Sequence, residues 1–450
     1  KKKKKEEEEE EEKKEEEEDG GQKLKLDVVI PSLRCDVRKL DRMLEKLKVP
    51  KGKLWSKFAI RLSIDNASTN LDALEDLKQK YSYFHIVNRK KRHSLPSGAS
   101  AARNDGAKDS SADWILFLDD DVTPEDDILE VYADSILGFF SGSPQNPDIY
   151  GFVGLTEFNI PDTLFGLAVK SQGMISPFLK AREKRFPVWA PTSNLVLRRD
   201  RSRFDETLPK SGGSEDVELC ARFFQEKSGR PCLVSVPGAV VSHDLWKPSA
   251  TMRRAFRWGA SSVDLQTRHE NLSLRTYPDT IETIVVLLLI WILVSIFCTA
   301  SIALSRWWFA FAIAIVLTAI HDTIIWVTRI MSHIRFNQYS QISGAENGVR
   351  IIHGIQVAEL IQVARSDGGC VFYLCLVGVA IFATIIDSTF LLGRLYGAFT
   401  KRHGWKCFAR NFDFTFGTED RVPACLALKD VAVRIFVIPT LCILIGSGVV

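Results

Sequence analysis

The run Phe117-Leu-Asp-Asp-Asp-Val122 ends an apolar stretch in three consecutive carboxylates. Three such groups side by side repel one another, and a divalent cation relieves that repulsion. Mg2+ or Mn2+ takes one or two carboxylates and completes its shell with phosphate oxygens. Asp119 and Asp121, two apart, present their side chains to one side and are the candidate metal ligands, while Asp120 points elsewhere or toward a sugar hydroxyl. The plainer alternative is an acidic cluster at the start of a helix beginning at Thr123-Pro124-Glu125, where negative charge is favourable.

Three further stretches combine residue types suited to chemistry. Ile64-Asp65-Asn66-Ala67-Ser68 offers an acid to a base N–H or a ribose hydroxyl, or is a turn-forming Asp-Asn pair. Ser97-Gly-Ala-Ser-Ala-Ala-Arg-Asn-Asp-Gly106 is rich in small residues, which admit close approach of a ligand or of a sheet. Its Arg103 suits a phosphate or one of the acids. Gly212-Gly-Ser-Glu-Asp-Val-Glu-Leu219 is a flexible turn opening a helix. Its Asp216, beside Glu215, suits a general base set against an acceptor hydroxyl, or is an ordinary acidic first turn.

These residues need a scaffold, and the apolar pattern supplies one. Strands are expected at Leu26–Ile30, Phe58–Ile64, Phe84–Val87 and Trp114–Leu118, alternating with helices at Val37–Leu47, Leu71–Leu77 and Ser100–Lys108. Strands apolar on both faces and alternating with helices indicate an α/β fold with a mostly parallel sheet covered on both sides. Ligands of such sheets bind at the carboxyl ends of the strands, where Asp65 and Asp119 to Asp121 fall. Residues 125–275 are less regular, with helices expected from Pro124 and over Glu215–Glu226, a Gly/Pro-rich connection at 141–147, and a strand at Cys232–Val236. Residues 250–268 alternate Arg253, Arg254, Arg257 and Arg268 with Met252, Phe256, Trp258 and Leu265, the pattern of a helix at a membrane surface.

The rest is membrane-like. Glu282 and Arg306 bracket 23 uncharged residues, enough to span a bilayer. The expected apolar segments are 283–305, 307–328, 368–393 and 431–450. The division expected is a low-complexity charged tail at 1–21, a catalytic domain at 22–248, a basic interfacial linker at 249–275 and a transmembrane region at 276–450. A multi-pass membrane protein with a cytosolic catalytic domain follows. Four spans would then place loop 393–430 outside, although it carries seven Lys and Arg residues, against the positive-inside trend.

Averages conceal this division. The net charge is +3, yet residues 1–19 hold seven Lys against eleven Glu and one Asp. A hydrophobic share of 46% excludes a wholly disordered chain, and the composition excludes collagen-like repeats and small disulfide scaffolds. The nine cysteines include no Cys-x-x-Cys pair, so buried thiols are expected and a structural zinc site is not. No nucleic-acid partner is indicated.

In this order and spacing the elements resemble the family 2 glycosyltransferases of GT-A (Rossmann-like) fold, over residues 26–245. The resemblance implies an inverting transfer from a nucleotide-diphospho-sugar, with Mn2+ or Mg2+ as cofactor. Asp65, Arg103, Asp119 and Asp120 would contact the donor, Asp119 and Asp121 the metal, and Glu215-Asp216 would be the Glu-Asp motif whose Asp is the base. Trp189 to Leu197, containing Asn194, resembles the acceptor-side segment. His243 stands where some such enzymes place a further metal or phosphate contact, or is structural. Arg254-Ala-Phe-Arg-Trp258 resembles the Gln/Arg-x-x-Arg-Trp motif of membrane synthases in this superfamily, which places Arg257 and Trp258 on the acceptor side, or else as an interfacial anchor. No apolar run precedes the catalytic part, as one does in those synthases. A lipid-linked or glycan acceptor and contact with membrane lipids are expected. The alternative is a non-catalytic GT-A-like membrane subunit or a component of a polysaccharide synthase.

Overall fold

The structure is a computed structural model that describes residues 24–48, 55–65, 71–88, 97–141, 149–161, 163–209, 213–275, 279–297, 301–342, 369–401, 404–408 and 410–417, plus a few isolated positions beyond. The charged stretch 1–21, residues 142–148 and nearly all of segment 431–450 lie outside the described residues.

The first half alternates as its pattern requires: β1 (Leu24–Ser32), α1 (Val37–Lys46), β2 (Trp55–Ile64), α2 (Asp72–Lys80), β3 (Phe84–Asn88), α3 (Ala99–Lys108) and β4 (Trp114–Leu118). Asp36 caps α1 by accepting from the N–H groups of Arg38 and Lys39. Leu40, Met43 and Leu44 of α1 are buried at the spacing that puts them on one helix face. β1 pairs in parallel with both β2 and β4, and β2 with β3. Successive strand residues feed opposite layers: Val28 and Ile30 pack with α1 and α2, and Val29 packs with Ala107 of α3. The small residues of α3 serve this contact, since a Cβ on Gly106 would lie 2.5 Å from Val29 Cγ1.

Beyond β4 the sheet becomes mixed. β5 (Val122–Pro124) and α4 (Ile128–Ser141) are followed by β6 (Gly151–Asn159), α5 (Leu164–Ser171) and α6 (Lys180–Glu183). β7 (Asn194–Arg198), α7 (Glu215–Glu226), β8 (Leu233–Asp244) and α8 (Pro248–Arg268) complete this part. The order is β3-β2-β1-β4-β7-β6-β8-β5, with antiparallel joins at β4–β7, β7–β6 and β8–β5 and a parallel join at β6–β8. The helix expected from Pro124 starts instead at Ile128, because Val122–Pro124 is drawn into the sheet by Val241–His243.

The apolar region forms α9 (Thr280–Phe297), α10 (Ser301–Ile342) and α11 (Gly369–Thr400), with a short strand pair between β9 (Ser273–Arg275) and β10 (Arg410–Phe412). Two stretches, Arg306–Met331 and Tyr373–Thr400, are long and apolar enough to cross a membrane, whereas Thr280–Leu293 is shorter. The α8 helix does not stand free: its Ala255, Gly259, Val263 and Leu265 are buried, and it crosses α11 at backbone contact. A Cβ on Gly259 would lie 1.9 Å from the Phe390 carbonyl oxygen, and one on Gly393 would lie 2.0 Å from that of Phe256. Of its arginines Arg253, Arg257 and Arg268 are exposed, and Arg254 is half-buried. Arg268 bonds Asp205, and Arg254 stacks over Trp246 with its guanidinium 4.2 Å from the ring centre.

The chain after α11 returns to the catalytic part. Trp189 Nε1 donates to the Phe414 carbonyl at 2.8 Å, and Phe412 and Phe416 join the core that holds Phe223 and Phe224 of α7. Buried Arg394 bonds Asp279 and Glu282 at the start of α9 and the Arg410 carbonyl. The described residues of 404–417 therefore pack against the sheet domain.

Candidate active site

Strand register gathers the site. Ser32 pairs with Ile64, and the Asp65 N–H donates to the Ser32 carbonyl, so β1 and β2 end level. Val29 pairs with Phe117, which brings Asp119 to Asp121 to the same carboxyl edge. His243 pairs with Val122 across the β5–β8 join, and this sets its ring beside Asp121.

Each carboxylate of the triplet has its own partners. Asp119 accepts from Arg103 Nη2 at 3.0 Å. Asp120 accepts from Ser32 Oγ at 2.5 Å and from Arg34 Nη2 at 2.6 Å. Asp121 accepts from the same Arg34 nitrogen at 2.8 Å and lies 3.3 Å from His243 Nε2. The His243 ring is buried, stacks on Phe158 with centres 5.0 Å apart, and has its Nδ1 against the Asp244 carbonyl. Burial works against the charge of Asp121, yet His243 and Arg34 outweigh it and hold the carboxyl below the usual range. Burial raises Asp119 instead, helped by Asp121 and Asp120 and opposed by Arg103. Its side chain keeps 35% of its surface open, so solvent limits that rise although protein surrounds the cleft.

Arg103 connects the triplet to the other candidate pair. It is buried, with Nη1 donating to Glu215 Oε1 at 3.1 Å and Phe204 beneath it. Glu215 Oε2 also accepts from the Gly213 N–H at 2.6 Å. The turn that allows this has two successive positive φ angles, 103° at Gly213 and 77° at Ser214. Such a backbone is costly for a non-glycine residue and persists where surrounding contacts enforce it. Here Ser214 Oγ donates to Ser261 Oγ of α8 at 2.8 Å, and Trp258 packs over Gly213. Asp216 accepts from the Val217 N–H. Burial, then the charge of Glu215, pushes Asp216 up to about 7.

The structure thus brings together Arg103, Asp119, Asp120, Asp121, His243, Glu215 and Asp216, with Asp65 and Trp258 at the rim. Asp65 uses its carboxylate to accept from the Ser97 and Gly98 N–H groups, which holds the turn into α3. Arg257 is exposed on α8. Asn194 does not reach the cleft. It is buried in the sheet, where its amide donates to the Leu155 and Ala239 carbonyls and its oxygen accepts from Tyr132. The resemblance of Trp189–Leu197 to an acceptor-side segment suggested an acceptor role, but core hydrogen bonding occupies its polar atoms. Two residues outside the sequence-based set stand at the site: Arg34 and Ser32. The signal available was their place just after β1, at the carboxyl edge where ligands bind.

Among the described residues no three or more His, Cys, Asp and Glu side chains are placed so that together they could hold a metal ion. Asp119 and Asp121 alone offer the one or two carboxylates that Mg2+ takes beside phosphate oxygens and water.

Residues 27–138 match the family described as Glycosyl transferase family 2. The pre-mycofactocin glycosyltransferases of Mycobacterium tuberculosis strains CDC 1551 / Oshkosh and ATCC 25618 / H37Rv are 32% identical over 220 residues, 45% of this chain and 41% of theirs. The chain thus spans less than half the length of these relatives. A mannosyltransferase of Pyrobaculum calidifontis, solved with GDP-Man and Mn2+, is 13% identical with a TM-score of 0.39, covering 55% of this chain and 65% of that one. Glucosyl-3-phosphoglycerate synthase of Mycobacterium tuberculosis, solved with Mn2+, UDP-Glc and glycerol 3-phosphate, is 13% identical with a TM-score of 0.37, covering 54% and 80%. These two likenesses are too distant to carry residue roles across. The match to the glycosyltransferase family 2 model, residues 27–138, runs from β1 into α4 of the mixed α/β sheet.

Proposed function

We propose that this chain is a membrane-bound inverting glycosyltransferase that moves a sugar from a nucleotide-diphospho-sugar to a lipid-linked or glycan acceptor. The observation that carries the proposal is Asp216, pushed up to about 7 in the same cleft as the acidic triplet and joined to it through Glu215 and Arg103. A carboxylate with that proton affinity suits the removal of a hydroxyl proton near neutral pH. The acceptor oxygen bonds to the anomeric carbon as the bond from that carbon to the diphosphate breaks, and the proton passes to Asp216. Glu215, fixed by Arg103 and the Gly213 N–H, keeps Asp216 proton-hungry by its charge. Mg2+ or Mn2+ held by Asp119 and Asp121, with His243 alongside, would supply Lewis-acid stabilisation of the departing diphosphate. Asp65 holds the Ser97-Gly98 turn where the nucleotide would lie, and Ser32 fixes Asp120 toward the donor.

An acceptor delivered from the membrane side is favoured by α8. Its Trp258 lies over the turn that opens the base helix, and its other face is locked on α11. The pairing of β9 with β10 supports a reading in which the chain enters and leaves the stretch 276–409 on the catalytic side. Arg306–Met331 and Tyr373–Thr400 would then cross a bilayer as a pair, with the basic residues of loop 393–430 on the cytosolic side.

The test is release of nucleoside diphosphate by the detergent-purified protein from a panel of UDP- and GDP-sugars with Mn2+ or Mg2+. The proposal expects release from one donor, abolished by EDTA and by Asp216→Asn. Turnover by Asp216→Asn within a few-fold of wild type would assign the base elsewhere.

A further inference from the structure

Arg34 is an exposed arginine that nonetheless spans two members of the acidic triplet. A single nitrogen, Nη2, sits 2.6 Å from Asp120 Oδ1 and 2.8 Å from Asp121 Oδ2, while 62% of the side chain stays open. The backbone that aims it is fixed. Ser32 Oγ donates to Asp120 and accepts from the Cys35 N–H at 2.9 Å, and Cys35 adopts a positive φ of 48°. That strained turn directs residue 34 across the carboxyl edge of the sheet. Arg103 differs in every respect that bears on movement. It is 5% exposed, held between Asp119 and Glu215, and stacked on Phe204.

We infer that Arg34 is a resident counter-ion that occupies Asp120 and Asp121 before the donor arrives, yields Asp121 to the divalent ion, and then pairs with the donor diphosphate. The inference rests on the metal role proposed above for Asp121. Three adjacent carboxylates need positive charge at every stage. Exchanging one cation for another meets that need without a stage in which the triplet stands bare. Its guanidinium returns to water when it leaves, and the incoming divalent ion takes over the charge of the Asp121 carboxylate that it had paired. Its planar fork then suits a diphosphate better than a lone ammonium would.

Opposite shifts in two binding constants test this. Mn2+ is titrated into the detergent-purified full chain without nucleotide, with free Mn2+ read by electron paramagnetic resonance. UDP and GDP binding is then measured calorimetrically at saturating Mn2+. Removing the competitor in Arg34→Gln is expected to tighten Mn2+ about two- to fivefold. The same variant is expected to weaken the nucleoside diphosphate that binds wild type about tenfold. Arg38→Gln, an exposed arginine on the neighbouring helix, should change neither. Mn2+ affinity that is equal or weaker in Arg34→Gln overturns the inference and leaves the metal role intact, as does unchanged nucleotide affinity. Mn2+ binding that survives Asp121→Asn unaltered overturns both.

Discussion

Replacing Asp216 by Asn separates two consequences of one burial. The amide keeps the oxygen to which the Val217 N–H donates, so the turn is preserved, but it cannot ionise. In the folded chain Asp216 titrates at about 7 instead of its ordinary 3.8. Below about pH 4 both folded and unfolded chains hold the proton, and the carboxyl costs nothing. As pH rises from about 4 to about 7 the unfolded chain loses its proton while the folded chain keeps it, so ionisation favours unfolding; above about 7 the cost is complete. A gap of about three pKa units corresponds to about 4 kcal/mol, of which about 2.5 kcal/mol develops between pH 5 and pH 8. Mutual influence with Glu215 and partial solvent contact reduce this, which leaves about 1.5 to 2.5 kcal/mol. The measurement is thermal melting of wild type and Asp216→Asn at pH 5 and pH 8. The variant should gain roughly 3 to 10 °C more over wild type at pH 8 than at pH 5. Sugar transfer should be lost at both, whereas wild-type transfer should rise with pH through about 7. A melting advantage equal at the two pH values would refute the argument, because it would mean that Asp216 is not a buried acid with raised proton affinity.

Asp121→Ala should abolish Mn2+-dependent binding of UDP or GDP in calorimetry while the melting temperature shows that the chain is still folded. Gly259→Val should cost about 1 to 3 kcal/mol of stability, read as a lower melting temperature, because its side chain would clash with the Phe390 carbonyl. Single-cysteine additions Lys39→Cys and Lys406→Cys, at exposed positions on the catalytic domain and on the segment after α11, should react with an impermeant maleimide from the same side of sealed vesicles. Labelling from opposite sides would contradict the β9–β10 pairing.

Local pattern and global pairing divide the information unevenly along this chain. The first four strands and three helices are readable from residue order because each carries its own period: Leu40, Met43 and Leu44 at helical spacing, and Trp114–Leu118 as an unbroken apolar run. The carboxyl-edge rule then locates Asp65 and the Asp119–Asp121 triplet without coordinates. From Val122 onward the strands join out of chain order: β5 has three residues and is completed by β8, and β7 lies antiparallel between β4 and β6.

What the sequence alone determined is therefore the α/β class, the acidic cluster at the strand ends, the Glu-Asp helix and, among four expected apolar segments, the two that form long helices. Each is a property of residues near one another in the chain. Only the tertiary structure decided that Arg103, which holds Asp119, reaches Glu215 across 112 positions, and that Arg34 bridges Asp120 and Asp121 across more than 80. It also decided that Asn194 belongs to the core, and that residues 410–417 return to brace α7. Charge pairing and amide hydrogen bonding depend on distance in space, and side-chain type at one position does not encode which distant backbone or carboxylate will arrive beside it.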